Sequence, residues 1–288
     1  MNKKVWKITA ILLCMVMLMG QVVWADSVSS EDAYVSLGAD LSAKEKATVL
    51  KLLGINNIND YKVEYITNKQ EHQYLDDYLE KSVIGSRALS SVFVKSGGDG
   101  INVETYNITY CTAGMYRNAL ATAGMENAEV VVAGPFNISG TAALVGAMKA
   151  YESMTGKKVS QDNLDAANQE LVVTGDVADS IGDDEAEQLI ALVKDKVVSG
   201  DLDSKEDIAD AVEESAEELN VTLSDEDKQQ IEQLMQKISD LDLDVNQLKE
   251  QAKDIYNKLE NLGINVNVDK SFIEKLKSWF FSLFDFLK

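Results

Sequence analysis

The stretch at residues 109–156 limits the possible folds of this chain more than any other. It reads as helix, strand, tight loop and helix. Residues 109–123 are dominated by Ala, Gly and Thr, with Met115, Tyr116 and Leu120 as the large apolar groups, so this helix is predicted to pack closely on a neighbour. Gly124 stops it. The EVVVA run at 129–133 predicts a strand buried on both faces, after which Gly134-Pro135 is expected to turn the chain. The second helix, 141–154, is apolar nearly all round in its first half, which places it between layers.

The residues before this stretch supply strands for a sheet. YVSLG at 34–38 is strand-like, and Ser42 with Glu45 has the spacing of a capping box that opens a helix ended by Gly54. YKVEYI at 61–66 alternates apolar and polar residues, as a strand with one wet face does. Thr67 or Asn68 caps a short helix reaching Leu79. Beyond the polar connection GSRALSS, strands are predicted at 92–94 and 101–107, joined by the SGGDG turn. Strands alternating with helices point to an α/β or α+β domain, here with a small mixed sheet and packed helices, over residues 27–156.

After Gly156 the strand patterns disappear and acidic helices follow one another. Residues 157–263 read as an all-α C-terminal helical module. Ser204 with Asp207 and Ser224 with Asp227 mark helix starts. From Ile231 the apolar positions step by three and four as far as Leu262, which is a heptad seam. The acidic run SDLDLD at 239–244 breaks helix propensity within it, so a two-helix hairpin is expected rather than one rod.

The two ends concern location. Lys3, Lys4 and Lys7 precede an apolar run at 8–19 and a small-residue cleavage pattern ending at Ala25, so residues 1–25 read as a secretory signal peptide. The apolar run is too short to span a bilayer, which needs roughly 20 residues. Cys14 lies inside that run and not at its end, which argues against a lipid anchor. At the other end, residues 264–288 form an amphipathic helix. Leu276, Phe280, Leu283 and Leu287 share one face, flanked by Phe272, Trp279 and Phe284, with lysines supplying positive charge. This pattern fits contact with a membrane surface or an envelope protein partner, or docking on the protein's own groove. A secreted or extracytoplasmic location, at the outer face of the cell membrane, follows.

Charge and cysteine content exclude further classes. Removing residues 1–25 takes three lysines and no acids from a chain of formal net charge −21, so the remainder carries −24. No nucleic acid is expected as a partner, because phosphate binding needs a basic face. Only Cys111 remains after the leader, so no internal disulfide is available, which fits a bacterial envelope better than a eukaryotic secretory route. The sequons at Asn107, Asn137 and Asn220 would matter only on the latter.

The runs TAGMYRNALATAGMENAEVVVAGPFNISGTAALVGAMKAYESMTG, YVSLGADLSAKEKATVLKLLGI, EHQYLDDYL and IGSRALSS occur in the order found in the domain of unknown function 1002 family, and the chain resembles that family over roughly residues 27–260. The resemblance implies an exported protein, largely of Gram-positive bacteria, with an α/β N-terminal part and a helical C-terminal part. It implies no activity, ligand or catalytic residue.

Candidate sites therefore rest on their own chemistry. Asn137, Ser139, Gly140 and Thr141 lie in a loop leading into a buried helix, a place where free N–H groups and the positive helix end suit an anion; the plainer reading makes Ser139 the N-cap. The loop lacks the lysine and second glycine of a P-loop. Arg87 and Arg117 are the only arginines, and Arg87, in the GSRALSS connection, offers a planar fork to a carboxylate or phosphate; a structural ion pair is the plainer reading. Cys111 and His72, the sole thiol and sole imidazole after the leader, would form a nucleophile–base pair if the fold joined them. Asp240, Asp242 and Asp244 imitate the start of a calcium loop, but Val245 stands where glycine is needed and Gln251 where glutamate is needed, so no metal site is assigned. No cofactor is expected, and the small-molecule ligand is unspecified. The sequence favours a non-catalytic, exported envelope protein that binds or scaffolds; an extracytoplasmic hydrolase or acyl transferase using Cys111 and His72 is the alternative.

Overall fold

The computed structural model describes residues 33–261 except 99 and 201. The expected signal peptide and the amphipathic segment carrying Phe272, Leu276, Trp279, Phe280, Leu283, Phe284 and Leu287 lie outside the described residues. Five strands and ten helices follow in the order β1 (Ala33–Gly38), α1 (Ala43–Leu52), β2 (Lys62–Ile66), α2 (Asn68–Leu75), α3 (Lys81–Ile84), β3 (Ser91–Ser96), β4 (Ile101–Ile108), α4 (Ala113–Thr122), β5 (Ala128–Ile138), α5 (Thr141–Thr155), α6 (Gln161–Ile181), α7 (Asp183–Gly200), α8 (Lys205–Glu218), α9 (Asp225–Ser239) and α10 (Val245–Asn261). The first part is thus a small mixed sheet with helices, and everything after α5 is helical.

The strands form one sheet in the order β2-β1-β3-β5-β4. β1 pairs in parallel with β2, and β4 with β5, while β3 runs antiparallel to both of its neighbours, β1 and β5. Four strands therefore point one way around a single opposed central strand, and their carboxyl ends share one edge with the start of β3.

The period-two pattern of the central strands serves both faces. Val35, Leu37 and Ala133 meet Val49, Leu53 and Ile55 under α1, with the Phe93 ring packed edge-on against Tyr61 at 5.7 Å between centroids. On the other face Val92, Val94, Val130 and Val132 are buried against α5 and α4. Each such side chain contributes roughly 1.5–3 kcal/mol by leaving water. Helix α5 lies across β1 and β3, and small residues make this possible: a Cβ on Gly146 would stand 2.6 Å from Ser36 Oγ. The same core runs without a break from the sheet through α4 into α6, α7 and on to α10, across Gly156.

The expected caps are present. Ser42 closes a full capping box with Glu45, Thr67 does so with Gln70, and Ser224 with Asp227, while Ser204 accepts from the Asp207 amide. The 239–244 run does interrupt the seam, since α9 ends at Ser239 and α10 starts at Val245. Each of these two helices presses its apolar stripe onto other helices more than onto its sequence neighbour: α9 packs on α6, α8 and α7, and α10 on α7.

Two local expectations are corrected. Gly134-Pro135 does not turn the chain, because β5 continues to Ile138; Tyr106 pairs with Ala133 and Ile108 with Ile138, so the extra residues of β5 are taken up in a bulge. Nor is Ser139 the N-cap of α5. That position is Gly140, in the left-handed region at φ 104°, and its neighbour's hydroxyl turns instead toward Thr141 Oγ1 at 3.3 Å.

Candidate functional site

The strand directions gather most of the candidate residues at one place. The segments leaving β2, β4 and β5 and the segment entering β3 border a cleft of about 480 Å³, whose wall includes Glu71, Arg87, Ser90, Tyr110, Phe136, Ser139 and Thr141. Clefts outside the carboxyl ends of strands are where α/β sheets commonly bind ligands, because the loops there diverge while the sheet holds their bases fixed.

The floor of the cleft is the start of α5. Ser90 Oγ accepts from the Ala143 amide at 2.9 Å, so the connection before β3 supplies the side-chain cap that Gly140 cannot. Thr141 Oγ1 donates to Glu71 Oε1 at 2.9 Å, and Asn68 Nδ2 donates to Glu71 Oε2 at 3.1 Å. Glu71 is 1% exposed, and this burial pushes its carboxyl above the ordinary value of 4.5, against the pull of the Asn68 and Thr141 hydrogen bonds. The space in front of the helix end is thus bordered by a protein carboxyl, which disfavours a free anion there.

Arg87 stands at the rim. Its Nη2 donates to the Asp40 carbonyl at 2.8 Å and to Glu45 Oε2 at 3.0 Å. Glu45 Oε2 also accepts from the Ser42 amide at 2.7 Å, while the Glu45 amide donates to Ser42 Oγ at 3.3 Å; hydrogen bonding to the Ser42 side chain and backbone, together with Arg87, holds the Glu45 carboxyl down to about 2. The structural ion pair is therefore present, and the arginine also borders the cleft. Arg117 is elsewhere, on α4, beside Glu187; burial raises the Glu187 carboxyl, while Thr112 and Arg117 act to lower it.

The thiol and the imidazole are not hydrogen-bonded to each other. Cys111 is fully buried beside the Tyr116 hydroxyl, and burial pushes its thiol up to about 12. His72 is committed on both nitrogens, Nδ1 to Asp76 Oδ1 at 2.5 Å and Nε2 to the Gly85 carbonyl at 3.2 Å. The carboxylate of Asp76 pushes the His72 pKa up. A nucleophile needs a thiolate and a base free to take its proton; here the buried thiol keeps its proton and both imidazole nitrogens have other partners.

Phe136 and Asn137 ride on the β5 bulge. Asn107, at φ 58°, donates from Nδ2 to the Gly134 carbonyl at 3.0 Å, tying the two strands across it. A Cβ on Gly134 would lie 2.7 Å from Ile138 Cγ1 and 2.9 Å from the Asn107 carbonyl oxygen, so only glycine fits there. Pro135, the one proline of the chain, fixes the next φ. The backbone that carries Phe136 to the cleft is thereby constrained, and the residue is 49% exposed.

Of the residues that border the cleft, Phe136 falls in the loop that the sequence singles out, at 135–141, whereas Glu71 is not among the candidates. Glu71 precedes the buried Leu75 by one helical turn, a spacing that already puts it on the apolar side of α2. Asp244, from the rejected calcium motif, accepts from the Gln247 amide at 2.9 Å as a helix cap. Among the described residues no group of three or more His, Cys, Asp or Glu side chains could hold a metal ion, and no helix is long and apolar enough to cross a membrane.

Fold and site together define a mixed α/β protein with a helical array packed on it and an open cleft at the carboxyl edge of its sheet. The chain belongs to the family described as Protein of unknown function (DUF1002), which matches residues 37–255. It is 39% identical over 286 residues to the uncharacterized protein YpuA of Bacillus subtilis (strain 168), covering 98% of this chain and 97% of that one. No solved structure matches it.

Proposed function

We propose that this is an exported, non-catalytic envelope protein that binds a small molecule in the carboxyl-edge cleft. The observation that carries the reading is the cleft itself, walled by loops from β2, β3, β4 and β5 while the thiol that an enzyme reading would need is sealed in the core. A fragment screen by ¹⁵N-NMR tests it. Hits are expected to perturb amides of residues 85–90 and 136–141; hits scattered over the surface, or none, would remove the cleft as the site.

The terminal amphipathic segment is the proposed foot on a membrane surface or an envelope partner, supported by its aromatic face and lysines. Trp279 is the only tryptophan after residue 25, so its fluorescence reports on this segment alone. Anionic vesicles should shift its emission to the blue, and deletion of residues 270–288 should abolish vesicle binding. An emission that is already blue and ignores vesicles would mean docking on the protein's own surface.

A further inference from the structure

We propose that the carboxyl-edge cleft takes an uncharged saccharide, with a sugar ring stacked on Phe136 and its hydroxyls bonded to the serine and threonine hydroxyls around Ser139. This rests on the cleft being the binding site and adds the class of ligand.

Phe136 begins the argument. Three large hydrophobic side chains stand exposed among the described residues: Tyr65, Tyr106 and Phe136. Two of them have local partners. The Tyr65 hydroxyl accepts from Lys46 Nζ at 2.9 Å, with that ammonium 5.3 Å from the ring centre, and the Tyr106 hydroxyl donates to Glu104 at 2.9 Å. Phe136 has no polar handle, borders the cleft and has its backbone fixed by Gly134, Pro135 and the Asn107 hydrogen bond. An apolar ring kept half in water at a cleft, on a backbone held in place, is a ready platform for the flat apolar face of a ligand.

The polar lining of the cleft is largely hydroxylic. Ser82, Ser86, Thr109 and Ser139 line the cleft; Ser82 donates to Glu80 Oε2 at 3.1 Å and Thr109 to the Ile138 carbonyl at 3.1 Å, which leaves lone pairs on both oxygens to accept, while the Tyr110 hydroxyl is turned toward Gly175 on α6. A hydroxyl both donates and accepts, which is what a sugar hydroxyl requires of its partners.

Charge then separates this ligand from the alternatives. The Arg87 guanidinium is already matched by Glu45 at 3.0 Å, and the chain as a whole carries −21, so an anion meets an unfavourable field. Both carboxyl oxygens of Glu71 already accept hydrogen bonds, from Thr141 and Asn68, so the cleft presents no free carboxylate to recruit a cation. An uncharged ligand with an apolar face and many hydroxyls satisfies what remains.

The test is titration of the purified protein, followed by ¹⁵N-NMR, with triacetylchitotriose, maltotriose, choline and inorganic phosphate, each also against Phe136→Ala. At least one trisaccharide should saturate shifts at residues 136–141, and Phe136→Ala should weaken it about tenfold or more with an unchanged melting temperature. Undiminished saccharide binding by Phe136→Ala would overturn the stacking proposal. Choline or phosphate acting at 136–141 while both trisaccharides fail would overturn the ligand class and leave the cleft as the binding site. Silence from all four probes would count against the cleft as well.

Discussion

Lys194 Nζ lies 2.7 Å from Glu170 Oε1, with neither side chain more than 1% exposed. The ammonium also donates to the Asn118 carbonyl at 3.0 Å and to Thr122 Oγ1 at 3.1 Å, and Thr122 in turn donates to Glu170 Oε2 at 2.5 Å. A buried ion pair of this kind joins α6 and α7 to α4, and so ties the helical array to the sheet-bearing part. Removing one partner strands the other charge in the core. Lys194→Met should cost about 3–5 kcal/mol, read from the urea midpoint, whereas the double variant with Glu170→Leu should recover most of that loss. Equal losses in the single and double variants would show that packing, not the stranded charge, sets the cost.

Cys111 should behave as an inert core residue. Its thiol is pushed up to about 12 by burial, so the thiolate is scarce at pH 8. Iodoacetamide should label it at the rate of unfolding and stoichiometrically only in denaturant. Rapid modification of the native protein would restore a nucleophile to consideration.

Glu71 gives a pH dependence with a definite sign. Burial raises its folded-state value above 4.5, so the folded protein holds the proton more tightly than the unfolded chain. The stabilisation is complete below the unfolded value and is lost as pH rises through the raised one. His72 and Asp40 also act on this carboxyl, the first lowering and the second raising it. Glu71→Gln cannot ionise, so the stability difference between variant and wild type should move in the variant's favour as pH is taken upward from 4. A difference that stays flat from pH 4 to 8 would mean the carboxyl titrates normally.

Gly140→Ala and Gly156→Ala make a matched pair, both with positive φ. At Gly156, φ 68°, nothing lies within 4 Å of an added Cβ, and the cost should be the backbone preference alone, about 1–2 kcal/mol. At Gly140 the Cβ would meet the Tyr116 hydroxyl at 2.6 Å and Ile108 Cγ2 at 2.8 Å, and Tyr116 also donates to the Gly140 carbonyl at 2.5 Å. Its loss in a denaturant melt should therefore exceed that of Gly156→Ala clearly.

What the sequence made legible is what depends on near neighbours. The capping pairs at Ser42 and Ser224 need only the residue three places further on to recognise, Thr67 was one of two caps the residues offered, and the VVV run announces its own burial. Gly134-Pro135 misled because a turn and a bulge share the same residue types; only the partner strand, through Asn107 and the Ile108 pairing, distinguishes them. Lys194 was hidden among the charges of an acidic helix, although Ile190 and Val197 lie on its face at helical spacing. Its pairing with Glu170 depends on how three helices meet, which no local pattern encodes. The cleft is similar: Arg87 and the 137–141 loop stood out by composition, but that they border the same space as Glu71 follows from strand directions.

The position of β3 in the sheet has a kinetic consequence. Tyr34 pairs with Val94, and Val94 with Val130, so the middle strand takes one partner from earlier in the chain and the other from later. β4, the strand that follows it directly, is not its neighbour. No simple hairpin can seed this sheet, and loop closure must precede most of its reward, which places assembly on the slow side for a protein of mixed structure. A chain emerging from its amino end must carry one open edge of β3 until β5 arrives.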